Sequence, residues 1–172
     1  MKRIIILILL FSLLKASGQN EFASTAFYKD FQKIYADAQK GFSDYKGKKK
    51  ESEFEEIVDE YHVKLMLPLA DSGKIVIPVS GLPYVIYYFE PDKNRLKVDQ
   101  RGANLRDAVL IATGLQLYAR TETNMINNKP YSNTWYFTDP NETKQALAAF
   151  RLSIYYQDGK YNLSFEIRGK SN

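Results

Sequence analysis

The stretch AFRLSIYYQDGKYNLSFEIRG, residues 149–169, constrains the fold more than any other part of the chain. Asp158-Gly159 is a preferred two-residue hairpin turn, and apolar and polar residues alternate on both sides of it. Folding about this turn pairs Arg151 with Glu166 and brings the apolar residues of both arms onto one face. Because turn, alternation and charge pairing agree, the sequence predicts an antiparallel hairpin with one buried face.

The rest of the chain reads as two helices and several further strands. Aromatic and aliphatic residues recur at helical spacing over residues 21–40, and Ser24 or Thr25 can cap the start. Asp37 belongs to the polar face of this predicted helix. A second helix is predicted over residues 105–120 with Asn104 as its N-cap, although a buried strand pair fits the same apolar stretch.

Alternation and turn residues indicate where the strands lie. Asp71-Ser72-Gly73 is predicted as a turn, and residues 121–130 as a polar loop. Residues 143–149 fit either a helical turn or the start of the hairpin. Outside the hairpin, strands are predicted at 57–67, 74–79, 84–90, 95–99 and 133–138.

These elements predict a single α+β domain over residues 20–172. We expect one antiparallel sheet of about six or seven strands with two helices packed on it, in the order α-β-β-β-β-α-β-β-β. Each half then consists of a helix followed by strands, which is the pattern that an internal duplication would leave.

The first residues, MKRIIILILLFSLLKASGQN, have the layout of a secretory signal peptide. Two basic residues precede an apolar run of about 11 residues, whereas a helix needs about 20 to cross a bilayer. Small residues follow at the positions that a signal peptidase reads. The sequence therefore predicts a cleaved signal peptide at residues 1–19, a secreted or periplasmic protein, and no stable membrane insertion after cleavage.

Charge gives little support for a nucleic-acid partner. The chain has 24 Lys and Arg against 20 Asp and Glu, and the predicted signal peptide holds three of the cations, which leaves 24 − 3 = 21 against 20. Nucleic-acid binding usually needs a strongly basic face. The basic run Lys46–Lys50 is followed at once by glutamates, so we interpret it as a solvated connector.

The residue types needed for several common chemistries are scarce. Cysteine is absent and His62 is the only histidine, which argues against thiol catalysis and zinc sites. No GxSxG or phosphate-binding motif occurs. We therefore expect no metal and no cofactor. A small hydrolase stays open as an alternative, with acids drawn from Asp99, Asp107, Asp139 and Glu142.

Aromatic residues are the one compositional excess, at 14% of the chain. The stretch YVIYYFE, residues 84–90, is apolar on both faces of a strand, so it needs cover on two sides or a partner. Tyrosine and tryptophan suit binding surfaces because a rigid ring buries area while its polar end stays wet. The candidate binding residues are Tyr84, Tyr87, Tyr88, Trp135 and Tyr136.

We therefore expect a non-catalytic domain that binds a peptide, a protein or an apolar ligand through an aromatic-lined sheet face. One alternative is the small secreted hydrolase. The other is a homodimer with a structural role, in which the aromatic strand forms the interface.

The pattern FxxIYxxAxxGFxxYKG at residues 31–47 resembles small exported α+β proteins of Gram-negative bacteria for which no function is assigned. The order of elements is also similar to that of type III secretion chaperones, which implies dimeric peptide binding. The chain departs from those cytoplasmic chaperones in carrying a predicted signal peptide. Neither resemblance implies specific site residues.

Overall fold

A computed structural model describes residues 20–51, 56–114, 118–126, 129–138 and 149–169 of the chain. Within these residues it confirms the α+β class, with two helices and one antiparallel sheet. The sheet has eight strands, more than the predicted six or seven. The predicted signal peptide, Asp139 and Glu142 lie outside the described residues, as does most of the ambiguous segment 143–149.

The order of elements is α-β-β-β-β-α-β-β-β-β, so the predicted order lacked one strand in the second half. The strands are β1 Lys46–Lys50, β2 Ile57–Val63, β3 Ala70–Pro78, β4 Tyr84–Asp92, β5 Tyr118–Ile126, β6 Lys129–Thr138, β7 Phe150–Gln157 and β8 Lys160–Arg168.

The strand order in the sheet is β1-β2-β3-β4-β8-β7-β6-β5. Each half of the chain supplies a helix and a four-stranded meander, and the last strands of the two meanders pair at the centre. The topology is therefore symmetric about the β4–β8 pair. This arrangement fits the interpretation of two similar halves.

Helix α1 runs over Thr25–Ala38, within the predicted range. Its N-cap is Ser24, whose hydroxyl oxygen accepts a hydrogen bond from the backbone N–H of Phe27 at 3.2 Å. Asp37 was predicted on the polar face of this helix, but it is buried. Its buried carboxylate accepts hydrogen bonds from the backbone N–H groups of Asp44 and Tyr45, which fixes the turn after the helix.

Helix α2 runs over Arg95–Thr113, so the predicted strand at 95–99 and the predicted N-cap at Asn104 were both wrong. The cap is Asn94, whose side chain accepts from the backbone N–H of Leu96 at 3.0 Å. The helix ends at Gly114, which adopts the left-handed conformation with φ of 61°. The prediction had treated this glycine as an interior residue.

Three further assignments differ from the sequence prediction. Lys46–Lys50 is not a connector: it forms the edge strand β1, paired with β2. The predicted turn at 71–73 lies inside β3. The predicted polar loop at 121–130 falls largely in β5 and the start of β6, which form a hairpin.

The hairpin of residues 149–169 was predicted correctly. Its register pairs Tyr156 with Tyr161 and Arg151 with Glu166, and both turn residues have positive φ, 52° at Asp158 and 77° at Gly159. These angles match the type I′ turn that two-residue hairpins favour.

Both helices pack on the same face of the sheet. The ring of Phe31 in α1 lies 5.7 Å from that of Phe150 and 6.3 Å from that of Phe165, measured between centroids. In α2, Gly102 lies so close to the sheet that a Cβ there would be 2.9 Å from Cδ1 of Ile154. The main core therefore lies between this face and the helices. In the described part of the chain, neither helix combines the length and hydropathy needed to cross a bilayer.

Candidate functional site

The second face of the sheet carries no helix in the described part of the chain, and we call it the open face. The strand registers align several charged and aromatic side chains there, because directly paired residues share a face. Residues on the open face are Glu60, Lys74, Tyr84, Tyr88, Tyr136, Arg151, Glu166 and Arg168.

Glu60 lies at the centre of what we call the lysine cluster, formed with Lys50 and Lys74. The side chain of Glu60 is only 5% exposed, and its two carboxylate oxygens lie 3.4 Å from Nζ of Lys50 and 2.8 Å from Nζ of Lys74. Burial alone would raise the pKa of Glu60. The hydrogen bonds and charges of the two lysines outweigh burial and leave the pKa below its ordinary value.

Glu166 lies at the centre of what we call the arginine cluster. Its side chain is 2% exposed, and it accepts hydrogen bonds from Nη2 of Arg151 and, at 2.8 Å, from Nε of Arg168. Both arginine side chains stay partly exposed. Since each guanidinium carries five N–H donors, the arginines retain donors that a further acceptor can use.

Tyr84 and Tyr88 lie on β4 between the two clusters. The lysine cluster is on β1, β2 and β3, the arginine cluster is on β7 and β8, and β4 separates them in the sheet. Both tyrosines are half-buried. Burial raises the pKa of each hydroxyl, and the negative charge of Glu166 raises both further.

The five candidate residues do not form one site. Tyr84 and Tyr88 share the open face with Tyr136, which pairs with Arg151. Tyr87 points to the other face, is fully buried in the core, and donates a hydrogen bond from its hydroxyl to the carbonyl oxygen of Leu65 at 2.9 Å. Trp135 is also on the helix side, where it packs against the core.

A second feature, which we call the cleft, is a cavity of about 260 Å³ between α2 and the helix side of β6 and β7. The helix lines it with Asp99, Gly102, Ala103 and Arg106. Gly102 brings this part of the helix close to the sheet, and the small side chain of Ala103 adds little volume to the helical wall of the cleft.

The sheet lines the cleft with Asn133, Trp135 and Leu152. The amide of Asn133 is oriented so that its oxygen and its nitrogen both have hydrogen-bond partners. The oxygen accepts from Nη2 of Arg95 at 3.2 Å, and the nitrogen donates to the carbonyl oxygen of Ser132. Trp135 pairs with Leu152 across the β6–β7 ladder, so the indole and the aliphatic side chain form a continuous apolar wall.

The described residues contain no group of three or more His, Asp or Glu side chains placed to hold a metal ion. Among the described residues, Asp99 is the single carboxylate that lines the cleft. Asp107 is exposed and bound to Arg106, and His62 is exposed on the open face beside Lys74.

Sequence reasoning found the pairing of Arg151 with Glu166 but missed the other members of both clusters. The positions of Glu60 and Lys74 depend on the β2–β3 register, and that of Arg168 depends on the extent of β8. The cleft was missed because Asp99 was assigned to a strand and the second helix was predicted to begin only after Asn104, so Gly102 and Ala103 were not placed in a helix. Comparisons with protein-family models, with curated proteins and with solved structures find no match for this chain.

Proposed function

We propose that this protein is an exported, non-catalytic binding domain whose open face holds an acidic, aromatic-containing segment of a partner protein. The supporting observation is the arrangement of two cation-rich clusters on either side of Tyr84 and Tyr88. Export rests on the predicted signal peptide.

Charge favours an acidic partner. Each cluster has one carboxylate and two cations, so each has a net charge of +1. The carboxylates are buried whereas the cations reach solvent, and a partner therefore meets positive groups. Glu166 holds both guanidinium groups in place, which lowers the entropy cost of binding a further carboxylate.

The tyrosines supply the apolar part of the contact. Val76 and Ile86 are buried on the open face beside Tyr84 and Tyr88, so the rings adjoin an apolar base rather than water alone. Tyrosine and arginine are the residue types that dominate the energy of protein interfaces. A purely apolar ligand fits less well, because it would leave both clusters without counter-charge.

The same charges argue against self-association through this face. Two copies placed face to face would bring positive clusters together, which costs free energy. The hydrolase alternative has no specific support in the described residues, where the cleft contains a single carboxylate.

The test uses the full chain and three fluorescein-labelled peptides of equal length. One contains Asp, Glu, Phe and Tyr; in the second, lysine replaces every acid; in the third, serine replaces every aromatic residue. We expect fluorescence anisotropy to show tightest binding of the first peptide and weaker binding at higher salt. Equal affinity for the acidic and the basic peptide would overturn the proposal.

Variants then locate the surface. The double substitution Tyr84→Ala and Tyr88→Ala should weaken binding by about 30-fold, which corresponds to a loss of about 2 kcal/mol for the two rings together. Leu96→Ala is the matched control, because Leu96 is 77% exposed on α2, on the other side of the sheet. Unchanged affinity in the folded double variant, or equal loss in the control, would show that the open face is not the site.

A further inference from the structure

The cleft has an acidic end and a basic end. Along α2, Asp99 and Arg106 are seven residues apart, which corresponds to about 10 Å of helix rise. Asn133 lies at the same end of the cleft as Asp99, because Arg95 contacts both residues. Arg95 donates a hydrogen bond to the amide oxygen of Asn133, and its Nε lies 3.4 Å from the carboxylate of Asp99. Trp135 is two residues further along β6 and forms the wall towards the other end.

Both charged groups keep unused hydrogen-bonding capacity. Arg106 binds Asp107 through Nε and Nη2, and within the described part of the chain its Nη1 has no partner. Asp99 meets Arg95 through Oδ2, while its other oxygen has no partner among the described residues. The side chains of Asp99 and Arg106 are 37% and 42% exposed, so a ligand can reach them.

The size of the cleft sets the scale of the ligand. A cavity of about 150 Å³ holds a benzene molecule, and the cleft, at about 260 Å³, is larger and open to solvent. Its apolar wall of Trp135 and Leu152 suits one ring, and its two ends suit opposite charges. A carboxylate complements Arg106 and an ammonium group complements Asp99.

From this arrangement we infer that the cleft binds a small zwitterionic compound with an aromatic ring, of the chemical class of a dipeptide with one aromatic residue. The ring packs on Trp135, the carboxylate meets Arg106, and the ammonium group meets Asp99. The site is independent of the open face, since the two lie on opposite sides of the sheet.

Trp135 is the only tryptophan in the chain, so its fluorescence reports directly on the cleft. The probe is glycyl-L-phenylalanine, which does not absorb light at the wavelengths that excite tryptophan. Its N-acetyl derivative lacks the ammonium charge and its C-terminal amide lacks the carboxylate. We expect a saturable fluorescence change with the parent dipeptide and at least about 10-fold weaker binding of each derivative, as expected for loss of a charged hydrogen bond.

Two variants of the full chain assign the ends. In Asp99→Asn, N-acetylation should no longer weaken binding, and in Arg106→Gln, amidation should no longer weaken it. Both positions are exposed enough that the substitutions should leave folding intact, which circular dichroism checks. Val79→Ala serves as the control, because Val79 is 66% exposed and does not line the cleft, and this variant should bind the dipeptide like the unmodified chain.

Isothermal titration calorimetry gives a second readout of affinity. The inference is overturned if no saturable signal appears up to about 10 mM dipeptide, which is tenfold above a millimolar Kd. It is equally overturned if both blocked derivatives bind like the parent dipeptide. The same holds if Asp99→Asn removes the effect of amidation, or if Arg106→Gln removes the effect of N-acetylation, instead of the reverse. Failure here leaves the proposed function of the open face standing, because the peptide assays use different residues.

Discussion

Replacing Tyr87 by phenylalanine removes a single hydroxyl group from the core and tests how the structure divides the tyrosines of β4. The hydroxyl of Tyr87 donates to the carbonyl oxygen of Leu65 at 2.9 Å, and the side chain is fully buried. On the opposite face, Tyr88 is half-buried, and its hydroxyl has no hydrogen-bond partner within the described residues. The same substitution at the two positions should therefore have different effects.

The magnitude follows from the buried hydrogen bond. Its loss leaves the carbonyl oxygen of Leu65 without this donor, and an unsatisfied buried group costs about 1–3 kcal/mol. Tyr87→Phe should lower the free energy of unfolding by that amount, which corresponds to roughly 2–10 °C in Tm for a domain of this size. Tyr88→Phe should change it by less than about 0.5 kcal/mol.

Urea unfolding, followed by Trp135 fluorescence and by far-ultraviolet circular dichroism, measures both effects. Tyr84→Phe is a second control, since this residue shares the face of Tyr88. Equal destabilisation by all three substitutions would refute the assignment of β4 to two different environments. So would a Tyr87→Phe variant as stable as the unmodified chain.

Three further predictions concern stability. Gly73→Ala should destabilise the fold by about 1–3 kcal/mol in urea unfolding, because the new Cβ would lie 2.8 Å from the ring of Tyr87; an unchanged midpoint would contradict this packing. Because the pKa of Glu60 is lowered in the folded state, its ionised carboxylate stabilises the fold above about pH 4.3. This stabilisation is lost as the pH falls through the lowered pKa of the folded state. Glu60→Gln should thus flatten the fall in Tm under acid, whereas Glu56→Gln, at an exposed position, should not. Because burial raises the pKa of Tyr84, stability should fall above about pH 10, and Tyr84→Phe should reduce that fall; identical alkaline melting curves would contradict it.

The hairpin could be predicted from the sequence because its determinants are local. Asp158-Gly159 sets the turn, and the turn sets the register of every pair beyond it. Helix α1 was predictable for the same reason, since its apolar stripe and its cap at Ser24 lie within one segment.

The misassigned segments depend on distant parts of the chain. Lysine-rich β1 has low strand propensity, and it forms because β2 offers backbone partners and carboxylates at Asp59 and Glu60. Residues 95–99 alternate like a strand, yet Asn94 caps them into α2, where Val98 is buried and Leu96 is exposed. Local pattern and tertiary packing compete in such short segments, and packing decides.

The candidate site likewise combines features that the sequence shows with features that only tertiary packing decides. An excess of aromatic residues, and a strand that is apolar on both faces, are properties of the sequence. Which rings are covered depends on where the helices pack, and this separates Tyr87 and Trp135 from Tyr84, Tyr88 and Tyr136.

The sequence alone determined the α+β class, the first helix and the register of the last hairpin, because side-chain periodicity and turn chemistry act between near neighbours. Only the tertiary structure decided the eight-stranded order, the two charge clusters and the cleft. Each of these brings together residues far apart in the chain, and their meeting depends on the free energy of packing the whole sheet rather than on any local preference.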